Sequence, residues 1–535
     1  MTTPAAWRPR PGLALFGACL LLAAIALALP VNHDEGQYAA PAVLALDHRP
    51  FADFIYLQTP LQLYLSAAIA PLTPSWTFVA LRLVNAAMGA GALALVYAAQ
   101  RRLGVPRGRA IAACGLLLTC YPFQFSCAVA RNDALPLLLE AGAMLAAIVA
   151  VDGARRPWAL WTFAGLCLGA AASAKISYAL PLAAMGLVVL VGFVRRRSSL
   201  ASVIGYGAGG GLGLLPCLLA WLQAPQAFVW GVFTYAGTAP IRWYTEVGEG
   251  GRLGLAGRLG EGAFHLMVGP GLAVLITVAV AIFAAYRART AQGPAMRLLQ
   301  VLALAGLAAA LAPTPMQRQY FMPLLPPLFA LWGLQGRLGE GVHPLPRRLL
   351  ACLTVAGLLI GIGRSLYVLG AAAVGLVQGR LPPPLQLEAD AHWIGRTMRA
   401  AHAAGPIATP SPQVALDSGQ PLDPRLSTGV FAYRTGDLVS DADQRRLHLI
   451  SPRTLGRFLD AAPPAAIVTG YEPVTGRFHR NVDDDFRAYA KTRGYRLLVG
   501  PDGRAQLYVR APGQDFMAPS AGPPPAPVPS RRPGP

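Results

Sequence analysis

The first 380 or so residues alternate between long apolar runs and short polar loops. Runs lie near 11–30, 76–99, 108–126, 132–151, 158–174, 178–194, 201–222, 266–285, 298–312, 320–336 and 349–372. Most approach the roughly 20 residues a helix needs to cross a bilayer. The pattern therefore predicts an α-helical polytopic membrane protein with about eleven transmembrane helices. Arg364 interrupts the last run. The first run leads into a polar loop without a convincing small-residue cleavage site, so it reads as a helix and not a signal peptide.

Charge assigns sides to the loops, because Lys and Arg collect on the cytoplasmic side. With Arg8 and Arg10 inside, the clusters Arg101/Arg102/Arg107/Arg109, Arg155/Arg156, Arg195/Arg196/Arg197, Arg287/Arg289/Arg297 and Arg337/Arg347/Arg348 are inside as well. Asp152 and Glu340 are then the inside acids, while Asp34, Glu35, Asp47, Asp53, Asp133, Glu246, Glu249 and Glu261 fall outside. An odd number of crossings exports the C-terminal region. This places the chain in a bacterial-type inner (plasma) membrane, with its N-terminus cytoplasmic and its C-terminal domain periplasmic or extracellular.

From Leu381 the pattern becomes polar. Leu381-Pro382-Pro383-Pro384 marks a stiff boundary, so residues 1–380 form the transmembrane domain and 381–512 a small soluble α/β domain. Helices are predicted at His392–Ala404, Thr454–Ala462 and Asp484–Thr492, and strands at Pro406–Thr409, Ala466–Thr469 and Arg496–Val499. The Pro-rich residues 513–535 read as a disordered tail.

Composition excludes two classes of function. The chain is 54% hydrophobic and only 13% charged, with mean hydropathy +0.45. A soluble enzyme carries about a quarter charged residues. Its formal charge of +20 comes from clusters between apolar runs, whereas a nucleic-acid binder gathers its basic residues on a soluble face. No nucleic-acid partner is expected. The seven cysteines lie in or beside apolar runs without a CxxC, which fits small buried hydrophobes.

The chemistry concentrates in the outside loops. Asn32-His33-Asp34-Glu35-Gly36-Gln37-Tyr38 carries two adjacent carboxylates, able to act as a general base or to hold a divalent cation such as Mg or Mn. Asn32 and Glu35 also match a capping box, which leaves Asp34 free for chemistry. Arg131-Asn132-Asp133 supplies a second acid, either functional or a helix-start residue; with Asp34 it forms the candidate metal pair. Glu140, two turns on, reads as a structural partner. Lys175 and Arg318 stand at outer helix ends and, with Arg131, are the cations available to a phosphate. Each also reads as an interface anchor. The loop 223–265 is rich in aromatics, including Tyr244 near Glu246, which suit either an interfacial belt or a sugar site.

These residues resemble the GT-C membrane glycosyltransferases, most closely the family-39-like and aminoarabinose-transferase-like branch. His33-Asp34-Glu35-Gly36-Gln37-Tyr38 is similar to that family's first-loop motif. Arg49-Pro50-Phe51-Ala52-Asp53-Phe54 and Gln58-Thr59-Pro60-Leu61-Gln62-Leu63-Tyr64 resemble its following stretch. Leu81-Arg82-Leu83, Ala130-Arg131-Asn132-Asp133-Ala134, Ala174-Lys175 and Tyr320-Phe321-Met322-Pro323-Leu324-Leu325-Pro326-Pro327 follow in the family's order, so the likeness covers about 1–340.

The resemblance implies transfer of a sugar from a polyprenyl-phosphate carrier to an acceptor at the outer face of the membrane. Asp34, Glu35 and Asp133 are then candidate catalytic acids. Lys175, Arg318 and Arg131 are candidates for the donor phosphate, and Gln58, Tyr64, Tyr244, Glu246, Gln317 and Tyr320 for substrate. The chain departs from the family at Gln58-Thr59-Pro60, where two prolines are common. Its long loop also lacks the His-Glu pairing of protein O-mannosyltransferases, which counts against a protein acceptor; lipid, glycan and protein stay open. Two rival readings are a transporter or flippase of lipid-linked sugars, and a non-catalytic scaffold of the same fold that only binds them. The first predicts mid-membrane charges and broken helices in two matching halves, whereas the sequence shows few charges at mid-membrane depth and no matching halves. The second is opposed by the presence of both Asp34 and Asp133.

Overall fold

The structure, a computed structural model, describes residues 11–335, 344–472 and 481–511. The tail at 513–535 lies outside these residues, as do Arg8, Arg10, Arg337 and Glu340. Helices α1 (Pro11–Ala28), α2 (Gly36–Leu44), α3 (Leu61–Ile69) and α4 (Thr77–Arg102) open the chain. Then come α5 (Arg107–Thr119), α6 (Tyr121–Ala128), α7 (Ala134–Val151), α8 (Pro157–Ala174), α9 (Ala179–Val194), α10 (Leu200–Gly213) and α11 (Leu215–Gln223). After α12 (Pro225–Val229) a π-turn leads into α13 (Tyr235–Glu246), followed by α14 (Leu255–Met267), α15 (Gly271–Arg287), α16 (Pro294–Leu311) and α17 (Leu325–Gly333). A helix of 34 residues, Pro344–Val377, ends the membrane part.

Seven described helices are long and apolar enough to cross a membrane, and three bent pairs bring the number to ten. The pairs α5/α6, α10/α11 and α14/α15 bend by 67°, 45° and 102°. Each break has a proline at or beside it (Pro122, Pro216 and Pro270), which removes a backbone donor and crowds the preceding turn. The run expected at 320–336 forms a 3-10 segment, Arg318–Leu324, followed by α17. It is shorter than the other spans, yet its ends reach opposite ends of the bundle. Arg318 stands over the Tyr121 ring, which it shares with Arg364, while Gln335 lines a groove together with Arg109 and Arg347. At roughly 2.0 and 1.5 Å per residue the segment covers about 30 Å, a bilayer core.

Close packing comes from small residues, as expected where lipid offers no hydrophobic drive between helices. Where α8 meets α10, a Cβ on Gly165 would lie 2.2 Å from the Tyr206 carbonyl oxygen, and one on Gly209 would lie 2.1 Å from that of Thr162. Only glycine permits that approach.

The C-terminal region opens with the helix Pro383–Ala400 and forms a four-stranded sheet ordered β1-β2-β4-β3. β1 (Ile407–Ala408) pairs parallel to β2 (Ala466–Thr469), while β4 (Gln506–Val509) lies antiparallel between β2 and β3 (Arg496–Val499). The helices Leu455–Ala461 and Val482–Thr492 complete it. β4 is not anticipated by the sequence reading, and β1 is shorter than predicted. The region docks on α4 through a helix terminus. Asp417 accepts the N–H groups of Thr77 (3.0 Å) and Phe78 (3.3 Å), and Glu388 accepts that of Val79 (3.2 Å). Two carboxyl groups thus satisfy the exposed donors of a membrane helix.

Burial, and then the neighbouring Asp417 carboxylate, push the Glu388 carboxyl up to about 9. A raised acid binds its proton more tightly in the folded state. Its stabilisation is therefore complete below the ordinary glutamate range and is lost as pH rises toward about 9. Thermal stability of the purified protein should fall from neutral pH toward pH 9, and Glu388→Gln should flatten that fall. An unchanged slope in the variant contradicts the assignment.

Candidate active site

The site is built where the loops α1–α2, α6–α7 and α8–α9 meet. Asn32 accepts the Asp34 N–H (3.0 Å), and Glu35 accepts the Asn32 N–H (2.8 Å), so the capping pattern forms. Glu35 does more. Its carboxylate also accepts Arg82 Nε (2.8 Å), Arg82 Nη2 (2.5 Å) and the Ala130 N–H (2.6 Å). Arg82 spends its remaining donors on the carbonyls of Ala26 (2.7 Å), Leu29 (2.9 Å) and Pro30 (3.1 Å). Both side chains are 0% exposed. Glu35 has no oxygen left for a substrate, and the geometry makes it a fastener between loops.

Fastening Glu35 turns Asp34 toward the α6–α7 loop. Asn85 of α4 holds that loop through the carbonyls of Val129 (2.6 Å) and Arg131 (2.9 Å). Arg131 Nη1 pairs with Asp34, and its Nε donates to Asp133 (3.2 Å). Asp133 is the N-cap of α7 but makes no side-chain cap; it accepts instead from Lys175 Nζ. The chain Asp34–Arg131–Asp133–Lys175 alternates in sign and runs inward. Asp133 is fully buried, whereas the Asp34 side chain remains 23% exposed. The Tyr38 ring lies 5.2 Å from the Arg131 guanidinium carbon and the Tyr320 ring 5.4 Å from Lys175 Nζ.

His33 Nε2 lies 3.2 Å from Asp34. Burial would raise the Asp34 carboxyl, but Arg131 and then His33 outweigh it, so the group sits below its ordinary range. Burial also lowers His33; Asp34 opposes this, and Arg434, Arg131 and Arg318 add to it.

Asn132 Nδ2 donates to Gln58 Oε1 (3.3 Å) and to the Ala174 carbonyl (3.0 Å), which draws Gln58 to the cluster's edge. Gln317 donates to the Tyr244 hydroxyl (3.3 Å). Two substrate candidates are not brought in. Tyr64 stands on the exposed face of α3, and Glu246 pairs with Arg242 four residues back on the exposed face of α13 (2.6 Å). The helical period carries both away from the cluster. The metal reading of Asp34 and Asp133 also fits poorly, because Arg131 already stands between the carboxylates. No group of three acid, His or Cys side chains suited to a metal occurs among the described residues. Glu140 is buried with neither oxygen partnered and takes no part.

Arg318 was a sequence candidate, whereas Arg82, Phe125, Arg364, Phe431 and Arg434 around the cluster were not. Arg318 stacks on Phe125 (3.7 Å) and stands over Tyr121 (5.3 Å), while Phe125 also lies 6.0 Å from Arg131. The C-terminal region roofs the site: Phe431 stacks on His33 (5.3 Å), and Arg434 lies over Phe431 and Trp243. A buried Arg82 and a membrane-depth Arg364 carried a signal as charges inside apolar runs; Phe125 and Phe431 carried none.

A family model described as dolichyl-phosphate-mannose-protein mannosyltransferase matches residues 57–221. That stretch holds Arg131, Asp133 and Lys175 but neither Asp34 nor Arg318. In fold the chain is similar to ArnT from Cupriavidus metallidurans bound to undecaprenyl phosphate, with TM-score 0.56 and 15% identity over 95% of this chain and 99% of that one. It is also similar to the Archaeoglobus fulgidus oligosaccharyltransferase tethered with an acceptor peptide, with TM-score 0.51 and 13% identity over 93% and 74%. No curated protein sequence matches. The chain is thus a multi-pass membrane protein with the GT-C fold, resembling ArnT, as the sequence motifs imply.

The Arg82–Glu35 pair yields a test. Removing one member of a buried ion pair leaves an unpaired charge and costs about 3–5 kcal/mol. Arg82→Met should sharply lower thermal stability in detergent, and adding Glu35→Gln should recover part of it. A single variant as stable as the double contradicts the fastening role.

Proposed function

We propose that the chain is a membrane glycosyltransferase that moves a sugar from a polyprenyl-phosphate carrier to an acceptor hydroxyl at the outer face of the membrane. The observation that carries this reading is the graded ion chain, whose one partly exposed carboxylate, Asp34, lies near the cationic Arg318. The GT-C fold supports it, since the resemblance implies lipid-phosphate donors. The loop charges support the outer face: the basic clusters belong to the opposite end, where Arg102 and Asp152 pair at 3.0 Å.

In this mechanism the acceptor oxygen attacks the anomeric carbon and its proton passes to Asp34. The bond from that carbon to the phosphate oxygen breaks, and the phosphate leaves with the electron pair. Arg318 stabilises the leaving charge. Arg131 and Lys175 are held against acids, so they keep Asp34 and Asp133 in place and contribute field more than contact. An ionised Asp34 is required, and its lowered range secures that at neutral pH. Gln317 with Tyr244 offers polar contacts for the acceptor.

Asn nearly matches Asp in shape, so Asp34→Asn should leave the protein folded yet lower turnover by roughly 100-fold, the scale for loss of a general base. Near-normal turnover at equal membrane abundance moves the base elsewhere, with Asp133 next. Because the Asp34 range is lowered, wild-type turnover should hold as pH falls to about 5 and drop only below an ordinary aspartate value of about 3.9. A loss centred between about pH 6 and 7 contradicts this and points to a histidine.

A further inference from the structure

The cations at this end of the bundle sort by partner. Arg82 is bound to Glu35, Arg131 to Asp34 and Asp133, and Lys175 to Asp133. Arg318 and Arg364 have no ion-pair partner among the described residues. Arg434, on the C-terminal roof, is a third such cation but stands over other rings. Arg318 and Arg364 share one support: the guanidinium carbons lie 5.3 and 4.1 Å from the Tyr121 ring centroid. Arg364 Nη1 donates to a neutral amide, Gln124 Oε1 (2.9 Å), and Gln124 is fixed in turn by Ser365 (2.8 Å). Arg318 Nε is buried without a partner. Two like charges held half-buried on one aromatic ring, without a salt-bridge partner among the described residues, favour an anion that joins them.

A second feature meets this pair. A groove of about 680 Å³ runs between α5, α15 and the last membrane helix. Its walls are mostly apolar, with Leu116, Ala281 and Leu358 among them. It begins near Arg109 and Arg347 and ends at Thr119 and Ile362, two residues short of both Tyr121 and Arg364. From Arg347 to Ile362 the helix rises about 22 Å at 1.5 Å per residue. Val355 lines the groove and is 55% exposed, so the groove opens sideways to the bilayer. An anion-seeking pair at the head of a lipid-facing apolar channel matches a long-chain lipid phosphate.

We propose that Arg364 and Arg318 together bind the phosphate of the lipid carrier, and that the groove below them receives its prenyl chain. This rests on the glycosyltransferase reading and adds a residue and a tail site to it. The helix Pro344–Val377 thereby becomes part of the substrate site, with Arg364 as a binding residue and not merely an interruption of an apolar run. Its place beside the broken junction α5/α6 gives the phosphate a lateral approach to Arg318, and from there to the neighbourhood of Asp34.

The test is direct binding of radiolabelled undecaprenyl phosphate to the purified full chain, with undecaprenol and inorganic phosphate as competitors. Arg364→Gln and Arg318→Gln should each weaken binding roughly tenfold or more, the scale for losing a charged hydrogen bond. Arg364→Lys should retain an intermediate affinity, which separates loss of charge from loss of fold. Neither competitor should displace the label well: undecaprenol lacks the charge, and inorganic phosphate lacks the chain. Ala351→Trp, which fills the groove, should weaken undecaprenyl phosphate more than short-chain farnesyl phosphate. If wild type binds the label and Arg364→Gln binds it equally, the arginine assignment is overturned while the general function stands. If instead Arg109→Gln and Arg347→Gln abolish binding and Arg364→Gln does not, the groove belongs to a lipid headed toward the opposite face. Efficient displacement by inorganic phosphate overturns the tail site. Wild type that binds no lipid phosphate overturns the function itself.

Discussion

The site depends on one buried ion pair. Arg82 and Glu35 exclude water and use nearly every donor and lone pair they have on each other and on the backbone of the α1–α2 and α6–α7 loops. Such a pair adds little net stability, because desolvation offsets attraction. Its value is specificity of placement. With Glu35 held, the adjacent Asp34 must face Arg131, and the alternating chain to Asp133 and Lys175 follows. Adjacent carboxylates thus stand in opposite settings: one is dry and fully satisfied, the other is paired with Arg131 and partly exposed.

The C-terminal region is coupled to that arrangement through α4. Asp417 and Glu388 cap the helix that carries Arg82 and Asn85, and Phe431 closes over His33. Loosening the roof would free the α4 N-terminus about a turn and a half above Arg82. The region is therefore more than an appended domain: it helps fix the geometry of the acids in the membrane part.

Much of the fold was legible in the sequence because lipid enforces simple rules. All-round apolar runs of near-bilayer length became helices, although the runs 108–126 and 201–222, read as single spans, each break in two beside a proline. The capping box at Asn32 and Glu35 was readable from spacing alone, but the pairing of Asp34 with Arg131 was not. What was not legible depended on long-range packing. Nothing in the local pattern says that Asp133, at a helix start, would decline to cap and bind Lys175 instead. Tyr64 and Glu246 sat in suggestive motifs, but the helical period turned them outward. Arg364 was visible as an anomaly in an apolar run, yet its meaning required seeing Tyr121 and Arg318 beside it. β4 was hidden because a short strand between turn residues has little signal without its partners.

The central claim is that this arrangement transfers a sugar from a lipid phosphate. The most direct measurement is to incubate the purified protein, in lipid and with a membrane extract as acceptor source, with a panel of polyprenyl-phosphate sugars and to quantify released polyprenyl phosphate. The account predicts time-dependent release from at least one member of the panel, with the sugar recovered on a new molecule. Intact donors across the whole panel, from a protein shown to bind them, would contradict it.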